Sequence, residues 1–267
     1  MIVLGVNAFP ATGESGARQE RALAASTELR GVVLLNLQWR EAPCAVPGWR
    51  TVPLLRDDSV RLTGRAGPRK PVAREVFDLL CAEALRRRAP WFAYTNSDVR
   101  PTQGLIDHVA GSEREAFAVS RTEPAGVTTA GVDTFLVRAQ WWQRHRRRFR
   151  RYILGEPAWD NVYAAILMRH ADAELLNSAG WSRHEAHPVH WGTSPFAEYT
   201  RWLCALDRRD FSRWAEYHWE LVPMRAAGAS HAEEAALAER VFRAPQRGAV
   251  VQWLRAARAG LRYLARA

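Results

Sequence analysis

Lysine is nearly missing from this chain of 267 residues: Lys70 is the only one, and the other 37 of its 38 basic residues are arginines. An arginine- and alanine-rich composition is what a GC-rich genome produces, so part of the formal charge of +10 reflects codon usage and not a partner. Cysteine is scarce as well. Cys44, Cys81 and Cys204 are odd in number, far apart and free of any CxxC pair, which excludes a disulfide scaffold and points to a reduced, cytoplasmic compartment. No apolar run approaches the roughly eighteen residues of a membrane-spanning helix, so membrane contact is expected to be peripheral. The apolar start Ile2 to Val6 has no basic residues before it and is followed by Pro10, Gly13, Glu14 and Arg18, the pattern of a first strand and not of a signal peptide. Repeats and low-complexity linkers are absent, which favours a single domain with a tail. What is present, 48% hydrophobic and 25% charged residues, excludes a disordered polymer.

Periodicity predicts strands over 2–9, 32–39, 52–55, 91–94, 116–120, 132–137 and 173–177. It predicts helices over 15–29, ended by Gly31, over 72–88, from Thr102, from about Ala139 through the basic run to Arg151, and over 159–170. From Tyr199 onward the pattern is helical. The order is that of an α/β sheet domain followed by a helical C-terminal part.

Three clusters could carry chemistry. Asp98, in Asn96-Ser97-Asp98, follows the strand ending at Tyr94, and the crevice beyond strand ends is where open α/β sheets bind ligands. A carboxylate there could hold a divalent cation against a diphosphate; it could equally be a turn or helix-cap residue before Pro101. Asp160, in Gly155-Glu156-Pro157-Ala158-Trp159-Asp160-Asn161, sits on a tight turn at a helix start. There it could be a general base or simply a cap. His184, His187 and His190 crowd one segment around Pro188, as metal ligands or as hydrogen-bonded surface residues.

Taken in order, NSDV at 96–99, GVDTFLV at 131–137, GEPAWDN at 155–161 and HPVHWG at 187–192 resemble a group of glycosyltransferases with the GT-A fold. The likeness spans about 68–192. It implies a Rossmann-like open sheet with helices on both faces and a helical C-terminal extension, divided as a catalytic domain at 1–198 and a helical region at 199–267. It implies a nucleotide-sugar donor whose diphosphate lies near Asn96, Ser97, Asp98, Lys70, Arg69, Glu156 and Trp159. A divalent cation, Mn or Mg, would be held by Asp98 with His187 and His190, although Asn96 stands where the family pattern carries its first acid. Asp160 would deprotonate the acceptor hydroxyl and Asp133 would line the sugar or acceptor pocket. The activity implied is transfer of a hexosyl-type sugar to a saccharide or lipid-linked acceptor in cell-surface polysaccharide assembly. Trp159 and Trp191 are the tryptophans nearest the motifs and candidates for sugar stacking.

Two basic segments remain. Arg144 to Arg151, interleaved with Trp141, Trp142 and Phe149, could contact nucleic acid, could attract an anionic donor or lipid diphosphate, or could be a solvated helix face over a buried aromatic stripe. In the tail 248–267, Val250, Trp253, Leu254, Ala257, Leu261 and Leu264 share an arc of roughly 100°, beside Arg255, Arg258, Arg262 and Arg266. Such a helix suits an anionic membrane surface, or docking on the protein itself. The rivals to a transferase are a non-enzymatic nucleic-acid-binding protein, for which no recognisable motif is present, and a metal-dependent nucleotidyltransferase.

Overall fold

The computed structural model describes residues 1–124, 126–185, 187 and 194–244. In chain order the elements are β1 (Ile2–Val6), α1 (Gly13–Ser26), β2 (Val32–Trp39), β3 (Arg50–Leu55), α2 (Ser59–Thr63), α3 (Ala73–Arg86), β4 (Trp91–Thr95), β5 (Val99–Pro101) and α4 (Gln103–Ala110). There follow β6 (Ala116–Glu123), β7 (Gly126–Arg138), α5 (Ala139–His145), a 3₁₀ turn (Arg146–Arg148), α6 (Trp159–His170), β8 (Ala173–Leu176), β9 (Ser182–His184), α7 (Ala197–Leu206), α8 (Arg208–Ala226) and α9 (His231–Arg243).

Alternation within the strands dictates the layers. Ile2, Leu4 and Val6 of β1, Trp91 and Ala93 of β4, and Phe117 and Val119 of β6 point into one apolar cluster, which α1 and α4 cover with Leu23, Leu105, Ile106 and Val109. Val3, Phe92, Tyr94, Ala116 and Ala118 point the other way, under α3, α5 and α6. A sheet buried on both faces is what continuous apolar runs such as 32–39 encode. On the second face Phe77 meets Phe92, Tyr94, Phe135, Trp142 and Tyr163 at ring-centroid distances of 5.1–5.8 Å. Tyr199, Trp214, Tyr217, Leu237 and Phe242 of the C-terminal helices extend that same core.

The main sheet runs β3-β2-β1-β4-β7-β6-β8, with β7 antiparallel to both its neighbours and every other pair parallel. β1 has β2 on one side and β4 on the other, so the strand order reverses there and opens a crevice beyond the carboxyl ends of β1 and β4. β5 and β9 form a separate antiparallel ribbon.

Several boundaries differ from the periodicity, each for a visible reason. The first strand stops at Val6 because Ala8 and Phe9 leave the ladder for side chains: the Ala8 amide donates to Asn36 and the Phe9 amide to Gln19. The helix expected to reach Arg151 ends at His145, and the chain passes through the 3₁₀ turn to an extended stretch where Ile153 bridges Val72. β7 begins at Gly126, not near 132, since it forms a long bulged hairpin with β6. The tail 248–267 lies outside the described residues.

Candidate functional site

β4 ends at Thr95, and the turn that follows is tied to β7: the Asn96 amide donates to the Asp133 carbonyl at 3.1 Å, and Asn96 Nδ2 donates to Asp133 Oδ1 at 2.7 Å. Tyr94 Oη donates to Asn96 Oδ1 at 3.2 Å. An acid at position 96 would face the buried Asp133 carboxylate with like charge, whereas the amide offers it a donor. This accounts physically for an asparagine at position 96.

Two residues on, Asp98 meets two imidazoles. Its Oδ2 lies 3.1 Å from His187 Nε2 and 3.5 Å from His184 Nε2, and one ligand atom from each of the three residues falls within 4.8 Å of the others. The β5–β9 ribbon makes this meeting, because its register sets His184 opposite Val99. Behind His184, its Nδ1 lies 3.3 Å from Glu123 Oε1, so a carboxylate stands on the far side of the ring from Asp98. Burial alone would raise the Asp98 pKa, but the two imidazoles outweigh it and hold the carboxyl below its ordinary value. Burial works to lower the His184 pKa, and Asp98 reverses that into a rise.

The same cluster borders a cavity of about 380 Å³ whose opposite wall is the Gly155–Asn161 turn and whose floor includes Asp133, Arg121 and Gly131. Arg121, on β6, donates to Asp133 Oδ2 at 3.2 Å and to Glu123 Oε1 at 2.8 Å. A Cβ at Gly131 would stand 2.9 Å from the Arg121 guanidinium carbon, so glycine is what allows that side chain to lie against β7. Asp133 is buried, which raises its pKa; the Arg121 charge opposes the rise without cancelling it. Asp160 lies in the first turn of α6, entered through Ala158 in the left-handed conformation at φ 67°. Burial and then the neighbouring Asp133 charge push its carboxyl up to about 7, against backbone N–H groups at Asp160 and Asn161 that favour ionisation. Two carboxylates thus face one cavity, Asp133 held by donors on both oxygens and Asp160 near neutrality, the arrangement that separates a fixed acid from a proton-accepting one.

The remaining sequence candidates divide. Glu156 lines the cavity and its buried carboxylate accepts from Lys70 Nζ at 2.7 Å, so the sole lysine braces the turn. Arg69 is turned elsewhere: its Nε meets Asp58 Oδ2 at 2.5 Å and its guanidinium lies over Trp39. Ser97 is buried under the turn, and Trp159 borders the cavity but is 3% exposed and packs edge-on against Tyr94 and Tyr163. His190 and Trp191 lie outside the described residues, and the partner that Asp98 and His187 meet among the described residues is His184. The arginine run is dispersed: Arg146 points to Asp78, Arg150 to Asp207 and Arg151 to Asp57, while Trp141, Trp142 and Phe149 are buried. Arg121 and Glu123 went unnoticed in the sequence, where the predicted strand stops at Ser120 and leaves them beyond its end. A larger cavity of about 620 Å³ between β8, α8 and α9 has no acid–imidazole cluster among its described residues.

No protein-family model and no curated protein matches the chain. Solved structures do. The crystal structure of S. aureus TarS 1–349 in complex with UDP-GlcNAc superposes with a TM-score of 0.50 at 8% identity, over 77% of this chain and 66% of that one. The fold is GT-A. A second TarS 1–349 crystal structure gives a TM-score of 0.47 at 11% identity, over 77% of this chain and 64% of that one. The GT-A chain described here thus spans just under two thirds of the TarS length it is compared with.

Proposed function

We propose that the chain is a glycosyltransferase that moves a sugar from a nucleotide-sugar donor to a saccharide or lipid-linked hydroxyl acceptor, in cell-surface polysaccharide assembly. The observation that carries the reading is the convergence on one cavity, at the strand-order reversal of a GT-A sheet, of the Asp98–His184–His187 cluster with Asp133 and Asp160. The fold shared with TarS, a protein crystallised with UDP-GlcNAc, supports a donor of that class.

In this reading Asp160 accepts the proton of the acceptor hydroxyl, for which a carboxyl near neutrality is suited, and inversion of configuration follows from a base set opposite the leaving group. Asp133, held by Asn96 and Arg121, orients sugar hydroxyls without moving. Asp98, His184 and His187 fit a divalent cation as one oxygen and two nitrogen ligands, with Glu123 orienting the His184 ring from behind. Such a cation would neutralise the departing diphosphate, and two imidazole ligands favour Mn over Mg, which prefers oxygen.

Thermal-shift measurements with UDP, GDP, CMP and TDP, with and without Mn, test the reading. Stabilisation by one nucleotide, strengthened by Mn and lost in Asp98→Ala, is expected. A salt-sensitive shift with an oligonucleotide and none with any nucleotide would favour the nucleic-acid-binding alternative.

A further inference from the structure

A second cavity, of about 400 Å³, opens between α1, the β5–β9 ribbon and the end of β6, and shares Asp98 and His184 with the first. Its lining carries three arginines, Arg21, Arg100 and Arg183, and three acids, Asp98, Glu123 and Glu185, but the acids are paired elsewhere than with Arg100 and Arg183. Glu185 is taken by Arg21, with Oε2 2.6 Å from Arg21 Nη2, Glu123 is taken by Arg121, and Asp98 lies between two imidazoles. Each carboxylate of the cavity therefore already has a partner. Arg100 and Arg183 make no ion pair within 4.0 Å and no hydrogen bond among the described residues, although the Arg100 charge reaches Glu185 and helps to lower its pKa.

These two arginines are also direct cross-strand neighbours: the antiparallel register of the ribbon sets Arg100 opposite Arg183. Like charges directly opposed on one face of a strand pair are destabilising. The ribbon is three residues long on each side and is held from outside, by Ser182 Oγ donating to the Ser120 carbonyl and Thr102 Oγ1 to the Gly180 carbonyl. An oxyanion lying between the two groups would turn the repulsion into two charge-assisted contacts, and paired guanidinium forks match the oxygens of a phosphate.

Alternation along β9 turns Arg183 away from the His184 imidazole, although both residues, with Asp98 and Arg100, line this one cavity. Ser182 and His184 are buried and Arg183 is exposed, so the Arg183 side chain leaves the ribbon on the face opposite the His184 imidazole. A diphosphate at Asp98 and His187 would lie on the imidazole side. We infer that Arg100 and Arg183 form an anion site for a phosphate or phosphodiester group of the acceptor, distinct from the donor's diphosphate. The anion site stands on the ribbon geometry; its assignment to the acceptor rests on the transferase reading.

The test is calorimetric titration of the full chain with inorganic phosphate, with glycerophosphoglycerol as a phosphodiester, and with UDP, in the wild type and in the double variant Arg100→Gln/Arg183→Gln. Expected are phosphate and phosphodiester binding that saturating UDP leaves within about twofold, and a loss of about tenfold or more in the double variant with UDP affinity retained. Undiminished phosphate binding in the double variant overturns the site. Competition between UDP and phosphate, with UDP affinity falling in the double variant, overturns the acceptor assignment and gives the arginines to the donor. Melting supplies an independent check: without added anion Arg183→Gln should melt above the wild type, and phosphate should raise the melting temperature of the wild type only. A lower melting point for Arg183→Gln in phosphate-free buffer contradicts the opposed-charge premise. Should the wild type bind no nucleotide at all, the transferase reading fails, while the phosphate titration still decides the anion site.

Discussion

Asp160 and Asp133 have the same side chain, face the same cavity and are both pushed up by burial, yet differ in what offsets it. Asn96 and Arg121 donate to the two Asp133 oxygens, whereas Asp160 has backbone donors at the helix start and the Arg121 charge to offset burial and the Asp133 charge. As the base, Asp160 must be ionised, so kcat/KM should rise as pH passes through about 7. In Asp160→Asn that limb should vanish and turnover fall by about 10²–10⁴-fold, with the circular dichroism unchanged. A turnover near that of the wild type would remove Asp160 from the role. The linkage sign is opposite to that of a salt-bridged acid. A carboxyl whose folded pKa is raised binds its proton more tightly when folded, so stability declines as pH climbs from the ordinary carboxylate range to about 7. Asp160→Asn should therefore gain on the wild type in urea melts above that pH and lose the gain in acid. At the neighbouring cluster, Glu123→Gln should weaken Mn binding by about 10–100-fold, read from the free-ion signal in electron paramagnetic resonance, because it removes the carboxylate behind His184. Asp98 and Asp160 were legible in the sequence because acids at strand ends and helix starts stand out against apolar runs, while Asp133 was picked out only by the resemblance that GVDTFLV carries. Arg121 and Glu123 were not, since the run that marks the strand ends at Ser120 and the two acquire meaning only when the hairpin folds over the crevice. The HxxH spacing fits 184–187 as well as 187–190, and spacing alone does not choose between them.

At the scale of elements, two small ones carry the site. The Gly155–Ala158 turn contains positive φ values at Gly155 and at Ala158, and the alanine there is held against a preference of roughly 1 kcal/mol. What holds it includes the Lys70–Glu156 pair, whose acid is buried. Lys70→Met would leave that carboxylate without its cation and should cost about 3–5 kcal/mol in chemical denaturation, whereas the double change Lys70→Met/Glu156→Leu should recover most of the loss. A cost below 1 kcal/mol for the single variant would mean that the turn does not depend on the pair. The β5–β9 ribbon is the other small element, and it was invisible beforehand: three residues on each side, far apart in sequence, make no periodic signal. Long elements were legible for the converse reason. Val32–Trp39 and Trp159–His170 keep the predicted bounds because burial on both faces, or along a whole helical face, repeats often enough to be read. The basic segment 139–151 misled because its arginines are helix formers, while its end is decided by tertiary partners, Arg150 on Asp207 and the Tyr152 carbonyl receiving the Ala73 amide.

Across the whole molecule, the charge of +10 resolves into local arrangements. Arginines 146, 150 and 151 are spread over three separate acids, and the Arg100 and Arg183 guanidinium groups, without an ion pair among the described residues, matter more than the total. The expected membrane association rests on the segment 248–267 alone, since no helix of the described residues is long and apolar enough to cross a bilayer. If that segment binds anionic lipid, the intact protein should co-sediment with phosphatidylglycerol vesicles and the 1–243 protein should stay in the supernatant; equal sedimentation of both would end the idea. The scarcity of lysine has a practical corollary at this scale. The chain has one side-chain primary amine, and it is clamped onto Glu156 in the wall of the proposed transfer cavity. Acylating reagents that decorate most proteins at dozens of positions have a single side-chain target here, one whose reactivity reports whether the wall is closed. A lone ε-amine makes the protein its own site-specific probe, to be read by mass spectrometry with no engineered label.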